Sequence, residues 1–221
     1  MEPYRLVSRD YEPQPARLLK RGRYGTHIVH FPSLKNGRVI VCESRLEADF
    51  ALGLEFDRSV SSYLPQPETI NVAVGSALHS YTCDFQATHL AEPTKYWEVK
   101  PDGVQENLGL QRLFDAVRTH HESLGNRFEV ICNKDIRREP CLGNMKLLYA
   151  KAHVVPTRAV MYLRERINGY DGPIRWGDIR ARTNHVPLGA LAKLVISGEV
   201  KIDFGVPFGD DSIIQTRSAG L

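Results

Sequence analysis

A chain of 221 residues, 42% hydrophobic and 25% charged, has the ordinary make-up of a globular protein and room for one well-cored domain plus a smaller unit. No apolar run approaches the ~20 residues of a membrane span. The net charge of +3 and the pI of about 8.7 also fall short of a strongly basic nucleic-acid-binding domain.

The distribution of charge says more than its total. Residues 1–40 carry 8 basic and 3 acidic groups, residues 41–150 carry 11 and 16, and residues 151–221 carry 10 and 7. An acidic middle between basic ends suits a chain whose flanks hold phosphates while a carboxylate-rich centre receives metal cations. Arg5, Arg9 and Asp10 leave no signal-peptide core at the N-terminus, so a cytoplasmic protein with no membrane contact is expected. Cys42, Cys83, Cys132 and Cys141 form no CxxC pair and have no histidine at zinc-site spacing, and read as reduced thiols.

Residues 1–25 show no helix or strand period and read as a basic arm, with Lys20, Arg21 and Arg23 as candidate DNA contacts. Strands are predicted at residues 26–31 and 38–42, joined across Asn36-Gly37, a strong hairpin signal. Ser44 opens a helix whose Leu46, Phe50 and Leu54 form one apolar stripe. After Pro65-Gln66-Pro67 come candidate strands at residues 69–74, 81–89 and 96–100. A long helix over 107–124 is closed by Gly125, a buried strand follows at 128–132, and a helix runs over 144–153. Helical patterns at 157–167, 176–183 and 188–196, then strands at 199–204 and 212–216, describe a winged helix-turn-helix.

The informative stretch is Tyr81-Thr82-Cys83-Asp84-Phe85 followed by Tyr96-Trp97-Glu98-Val99-Lys100. Period-2 alternation predicts Tyr81, Cys83 and Phe85 on one side with Asp84 opposite, and Glu98 with Lys100 opposite Trp97 and Val99. An antiparallel pairing of even-sum register brings Asp84, Glu98 and Lys100 onto one face. Mg²⁺ takes hard oxygen ligands, usually one or two carboxylates plus waters and phosphate, and Mn²⁺ substitutes. The bound cation acidifies a water and polarises a phosphoryl oxygen, while a neighbouring lysine orients the water or screens the charge of the transition state. An exposed Glu98–Lys100 ion pair is the competing reading. Ser44-Arg45-Leu46-Glu47 is a capping box, which gives Glu47 a purely structural role on its own terms.

Glu47 on a helix, then Asp84, then Glu98-x-Lys100 resembles the PD-(D/E)xK nuclease superfamily. Within it the chain is more similar to the TnsA-type endonuclease subunits of heteromeric transposases. The residues that carry this are Glu43-Ser44-Arg45-Leu46-Glu47, Phe56-Asp57-Arg58-Ser59-Val60, Leu64-Pro65-Gln66-Pro67, Tyr81-x-x-Asp84-Phe85 and Trp97-Glu98-Val99-Lys100-Pro101, with Asn144 and Leu147-Leu148-Tyr149 further on. The resemblance covers about residues 26–155. Cys83 departs from it, standing where the superfamily has proline.

The resemblance implies a restriction-endonuclease-like α/β fold, a mixed β-sheet flanked by helices over 26–155, with the winged-helix domain at 156–221. It implies Glu47, Asp84 and Glu98 as metal ligands and Lys100 as the catalytic lysine. It further implies hydrolysis of DNA at the 5′ ends of a transposon, leaving a 5′-phosphate and a 3′-hydroxyl. The partners would be transposon-end double-stranded DNA, a TnsB-like transposase and a TnsC-like ATPase regulator. A self-sufficient restriction or repair nuclease and a non-catalytic binding module on the same fold are the alternatives.

Lesser candidates are Gln105 and Gln111 after the ExK strand, and Arg175, Arg180, Arg182 and Lys193 as phosphate contacts. His120-His121 suits the C-terminal end of a helix, where a charged imidazole complements the dipole. Tyr96 and Trp97 have the shape to stack on bases, although aromatics in a strand usually belong to the core. Residues 188–196 offer only Lys193 as a basic group, so little base reading is expected there.

Overall fold

A computed structural model describes residues 27–168, 170, 172–183 and 186–216, and the structural statements below concern these residues. Lys20, Arg21, Arg23 and the rest of the predicted arm lie outside them.

β1 (Val29–Ser33) and β2 (Arg38–Cys42) form an antiparallel hairpin in which Val29 faces Cys42. Gly37 sits at φ +66° in its turn, a conformation that glycine adopts without strain. Ser44 caps α1 (Arg45–Phe56) as the sequence predicts, and Phe50 and Leu54 of the apolar stripe are buried. β3 (Val60–Pro65) is followed by β4 (Thr69–Val74), β5 (Ala77–Thr82), β6 (Phe85–His89) and β7 (Lys95–Lys100). A 3₁₀ turn (Val104–Glu106) leads to α2 (Leu108–Ser123), where the Asn107 side chain accepts from the N–H groups of Gly109 and Leu110. β8 (Arg127–Cys132), the short α3 (Asn133–Ile136) and α4 (Cys141–Ala152) come next.

Strands β3, β6, β7 and β8 make one sheet in that order. The β7–β8 pair is parallel, and α2 supplies the crossover that parallel strands require. β4 and β5 form a hairpin of their own. The sheet is covered on both faces. On one side Phe50 and Leu54 of α1 and Met145 and Tyr149 of α4 pack with Phe85 and Val99. On the other, Phe114 and Val117 of α2 pack with Tyr96, Phe128, Cys83 and Val72. The expected mixed α/β architecture is present, with several sheets and seven α-helices among the described residues.

Two predicted features take a different form. The run 81–89 is two strands, because β5 leaves to pair with β4 while β6 joins the main sheet. Tyr81 and Cys83 therefore pack under α2 and Phe85 packs under α1, so the three do not share a side. β3 also stands where no strand is predicted.

After residue 156 come α5 (Thr157–Asn168), β9 (Ile174–Arg175), α6 (Trp176–Arg182), α7 (Leu188–Ile196), β10 (Val200–Ile202) and β11 (Ile213–Thr216). The strands form an antiparallel sheet in the order β10-β11-β9. Leu163, Ile167, Trp176, Leu191, Leu194 and Ile214 make their core. This unit is fastened to the rest of the chain. Leu148 and Ala152 of α4 bury against Ala192 of α7, and Phe56 meets Phe204 edge-on at 5.2 Å. The Asn144 side chain donates to the carbonyls of Phe204 (3.0 Å) and Val206 (2.7 Å) and accepts from the N–H of Phe208 (2.9 Å).

The four cysteines are unbridged thiols. No helix among the described residues is long and apolar enough to cross a membrane.

Candidate active site

β7 carries the site because its side chains alternate between two environments. Trp97 and Val99 enter the core beneath α1, and Glu98 and Lys100 project elsewhere. Asp84 lies one residue before β6. Its N–H donates to the Trp97 carbonyl (3.0 Å) and its carbonyl accepts from the N–H of Gln66 (2.9 Å), so its backbone bridges the two neighbouring chain segments. Phe85 pairs with Trp97. Continued by one residue, that even-sum register sets Asp84 opposite Glu98.

The side chains converge accordingly. The N–H of Val99 donates to Oδ2 of Asp84 at 2.8 Å. Nζ of Lys100 stands 3.8 Å from the same oxygen and forms a close ion pair with Oε1 of Glu98. Asp84 and Glu98 are buried, and the Lys100 side chain, 27% exposed, is the most open of the three. The other oxygen of Glu98, Oε2, is buried without a hydrogen bond of full geometry, and the Tyr81 hydroxyl, likewise buried, engages Glu98 only loosely.

Glu47 is buried nearby in a completed capping box. Oε1 accepts from the Ser44 hydroxyl (2.9 Å), Oε2 accepts from the N–H of Glu43 (2.7 Å), and the Glu47 N–H returns a bond to Ser44 Oγ (3.1 Å). Both carboxylate oxygens are thus engaged locally, and Glu47 reaches the cluster through its charge. The structure brings Asp84, Glu98 and Lys100 into contact, and sets Glu47 beside them on helix-cap duty.

The electrostatics follow from burying like charges together. Burial, then the Glu98 carboxylate, push Asp84 up to about 8, against the pull of Lys100. Burial likewise raises Glu47, against its hydrogen bonds from Glu43 and Ser44. Burial alone disfavours the Lys100 ammonium, yet Asp84, Glu98 and Glu47 together carry it above the ordinary lysine value. In the metal-free protein Asp84 therefore holds its proton up to about pH 8, with Lys100 as a resident cation.

A divalent cation has a chemically suitable place here. Two carboxylates meet, and one buried oxygen of Glu98 lacks a hydrogen bond of full geometry. This suits a hard ion that takes one or two carboxylates and completes its shell with water and phosphate. Among the described residues no group of three or more His, Cys, Asp or Glu side chains is assembled to hold a metal by itself. Asp84 and Glu98 are the carboxylates in the cluster itself, and Glu47 acts on Asp84 through its charge from the helix cap.

The other sequence candidates are placed as follows. Tyr96 is buried and stacked on His121 at 3.8 Å, and Trp97 packs on Phe50 at 5.2 Å, so both are core residues. His121 is buried beside Cys83, with Nε2 3.6 Å from the thiol sulfur. Burial, then His120, lower it to about 4, which makes it neutral and removes the expected dipole role. Gln111 lines a polar cavity of about 250 Å³ with Val104, Asp115, Arg118 and Val130.

Arg175 belongs to β9, not to the helix it precedes. It faces Asp211 at 3.5 Å, Arg180 pairs with Asp210 (2.6 Å), and Arg182 donates to the Tyr170 hydroxyl (3.0 Å). Lys193 is half-buried on α7, whose Gly189, Ala190, Leu191, Ala192, Leu194 and Val195 are all buried. Most of this helix faces the core, and Leu188, Lys193 and Ile196 are its partly open positions.

Sequence reasoning missed three participants. The Val99 N–H fixes Asp84, and a backbone donor leaves no mark in a sequence. Cys42 of β2 senses the charges of Glu47 and Asp84, which together with burial hold its thiol well above the ordinary range. Tyr81 faces Glu98 once β5 has turned away from the main sheet.

No protein-family model matches the chain, and no curated protein matches it either.

Proposed function

We propose that the chain is a Mg²⁺-dependent DNA endonuclease, the 5′-end-cleaving subunit of a heteromeric cut-and-paste transposase. In this reading it has a restriction-endonuclease-like domain and a C-terminal winged-helix unit. The observation that carries it is the convergence of Asp84, Glu98 and Lys100, with the Val99 N–H orienting Asp84 and one Glu98 oxygen only loosely engaged. Segments of the TnsA-like pattern far apart in sequence also meet there: Gln66 bonds the Asp84 carbonyl, and Glu47 sits within electrostatic reach.

Asp84 and Glu98 would hold the cation, which supplies an activated water and charge neutralisation at the phosphate. The Val99 N–H keeps Asp84 aimed. Lys100, protonated and partly open to solvent, would offer its ammonium to the non-bridging phosphate oxygens. The half-buried cluster limits water around these charges, which strengthens each interaction. The three helices after residue 156, with the β10–β11 hairpin, fit a winged-helix unit, and the enclosure of α7 suits a role in holding the assembly together rather than in reading bases.

The test is a transposition assay with the cognate transposase and ATPase partners, comparing the wild type with Asp84→Ala and Asp84→Asn. Loss of 5′-end cleavage shifts products from simple insertions to cointegrates. Unchanged products from a folded variant sink the proposal. Efficient cutting of purified DNA by the chain with Mg²⁺ alone would favour a self-sufficient nuclease.

A further inference from the structure

Tyr81 lies next to the end of β5, with its ring edge-on to Phe114 and to Phe128 at 6.4 Å each. These contacts fix where the phenol points. Its hydroxyl is buried without a hydrogen bond of full geometry, and Glu98 is both the charge that acts on it most strongly and the side chain it engages as a loose hydrogen-bond partner. Glu98 in turn has Oε1 held by Lys100 and Oε2 buried without a full bond. Buried donors and acceptors are paired in nearly all folded proteins. A donor and an acceptor set this close without a full bond are the two halves of one that tightens in another state of the site.

We propose that Tyr81 is a positioning residue for the divalent cation: its hydroxyl would donate to Oε2 of Glu98 and hold that carboxylate in place as a ligand. This rests on the nuclease reading of the site. A carboxylate that ligates a metal has two oxygens and a free rotation, and a hydrogen bond to the outer oxygen sets which one faces the ion. Lys100 holds Oε1 in the metal-free protein, and Tyr81 would hold the carboxylate with a cation bound. Tyr81 is separated from Asp84 by two residues, so the turn that carries the strand from the β4 hairpin into the main sheet also delivers the donor.

The experiment measures Mn²⁺ binding to the full chain by titration calorimetry for the wild type, Tyr81→Phe and Asp84→Asn, with thermal unfolding of each metal-free protein. Phenylalanine keeps the ring contacts and removes only the hydroxyl. The expected result is a Mn²⁺ affinity lowered by about 10–100-fold in Tyr81→Phe, the range typical of lost outer hydrogen bonds to ligands. Its metal-free midpoint should not fall below that of the wild type. Wild-type affinity in Tyr81→Phe, with binding abolished in Asp84→Asn, overturns the positioning role and leaves the nuclease reading standing. A metal-free Tyr81→Phe that unfolds earlier also overturns it, because the hydroxyl then has a structural partner. Binding that survives Asp84→Asn, or no binding in the wild type, overturns both readings.

Discussion

Val99 donates its backbone N–H to Oδ2 of Asp84 at 2.8 Å, while its side chain is buried in the core beneath α1. One residue thus ties Asp84 to the packed core beneath α1. The flanking residues of the same strand, Glu98 and Lys100, cannot move far without disturbing that core.

Asp84 makes the metal-free protein sensitive to alkali. Its pKa in the folded chain, about 8, lies above the ordinary 3.8, so the native state holds a proton that the unfolded state has released. The stability it contributes is full below about pH 4 and is lost as pH rises through 8. Asp84→Asn should therefore unfold later than the wild type at pH 9, with the difference vanishing near pH 3.5. Urea denaturation across that range, with chelator present, measures it. A constant difference at every pH contradicts the assignment.

His121 has the opposite sign. Held near 4 in the fold against 6.5 ordinarily, it stays neutral while the unfolded chain takes up a proton. Its contribution is complete above pH 6.5 and fades as pH falls towards 4. His121→Phe, which keeps an aromatic ring against Tyr96 and Phe128, should lose this acid sensitivity. Guanidinium unfolding at pH 7 and at pH 4.5 gives the comparison, and an equal loss in both proteins counts against it.

Glu47 separates cap from chemistry. Glu47→Ala should lower stability by about 1 kcal/mol, the usual cost of a lost helix cap, whereas Glu47→Gln, which can still serve a capping box, should stay within ~0.5 kcal/mol. If Glu47 acts on the cluster through charge alone, Glu47→Gln reduces cleavage by a smaller factor than Asp84→Asn. Equal loss of activity in the two variants would make Glu47 a direct ligand.

Asn144 and Gly189 hold the C-terminal unit in place. Asn144→Ala removes three part-buried hydrogen bonds to the segment around Phe204–Phe208, a loss of about 1–3 kcal/mol. At Gly189 a Cβ would overlap the carbonyl oxygen of Lys151, so Gly189→Ala should cost ~1–3 kcal/mol by overpacking. Urea midpoints test both, and wild-type values would refute the close approach of α4 and α7.

Much of the local structure was legible in the sequence, because local chemistry decides it. Asn36-Gly37 places the first turn, Ser44 the start of α1, and Gly125 the end of α2. The pairing of Asp84 with Glu98 and Lys100 followed from period-2 alternation, since it depends only on the parity of the register. What escaped prediction depends on distant partners. Val60-Ser61-Ser62-Tyr63 has no clean alternation, and β3 becomes a strand through its pairing with β6. The break at Cys83-Asp84 comes from β5 pairing with β4, which a continuous apolar run conceals. The neutrality of His121 needed the ring of Tyr96 and the thiol of Cys83, both brought in from other strands.

The packing of α7 on α4 bears on how the molecule can be taken apart. Leu148, Ala152 and Ala192 are almost wholly enclosed where the two helices meet, and Phe56 and Phe204 contribute to the cores on either side. Cutting the gene near codon 155 would leave an oily scar on each fragment instead of two tidy modules. Heat and denaturant should melt the two parts in a single step, and the contribution of the last sixty-odd residues is better dissected by point substitution than by truncation.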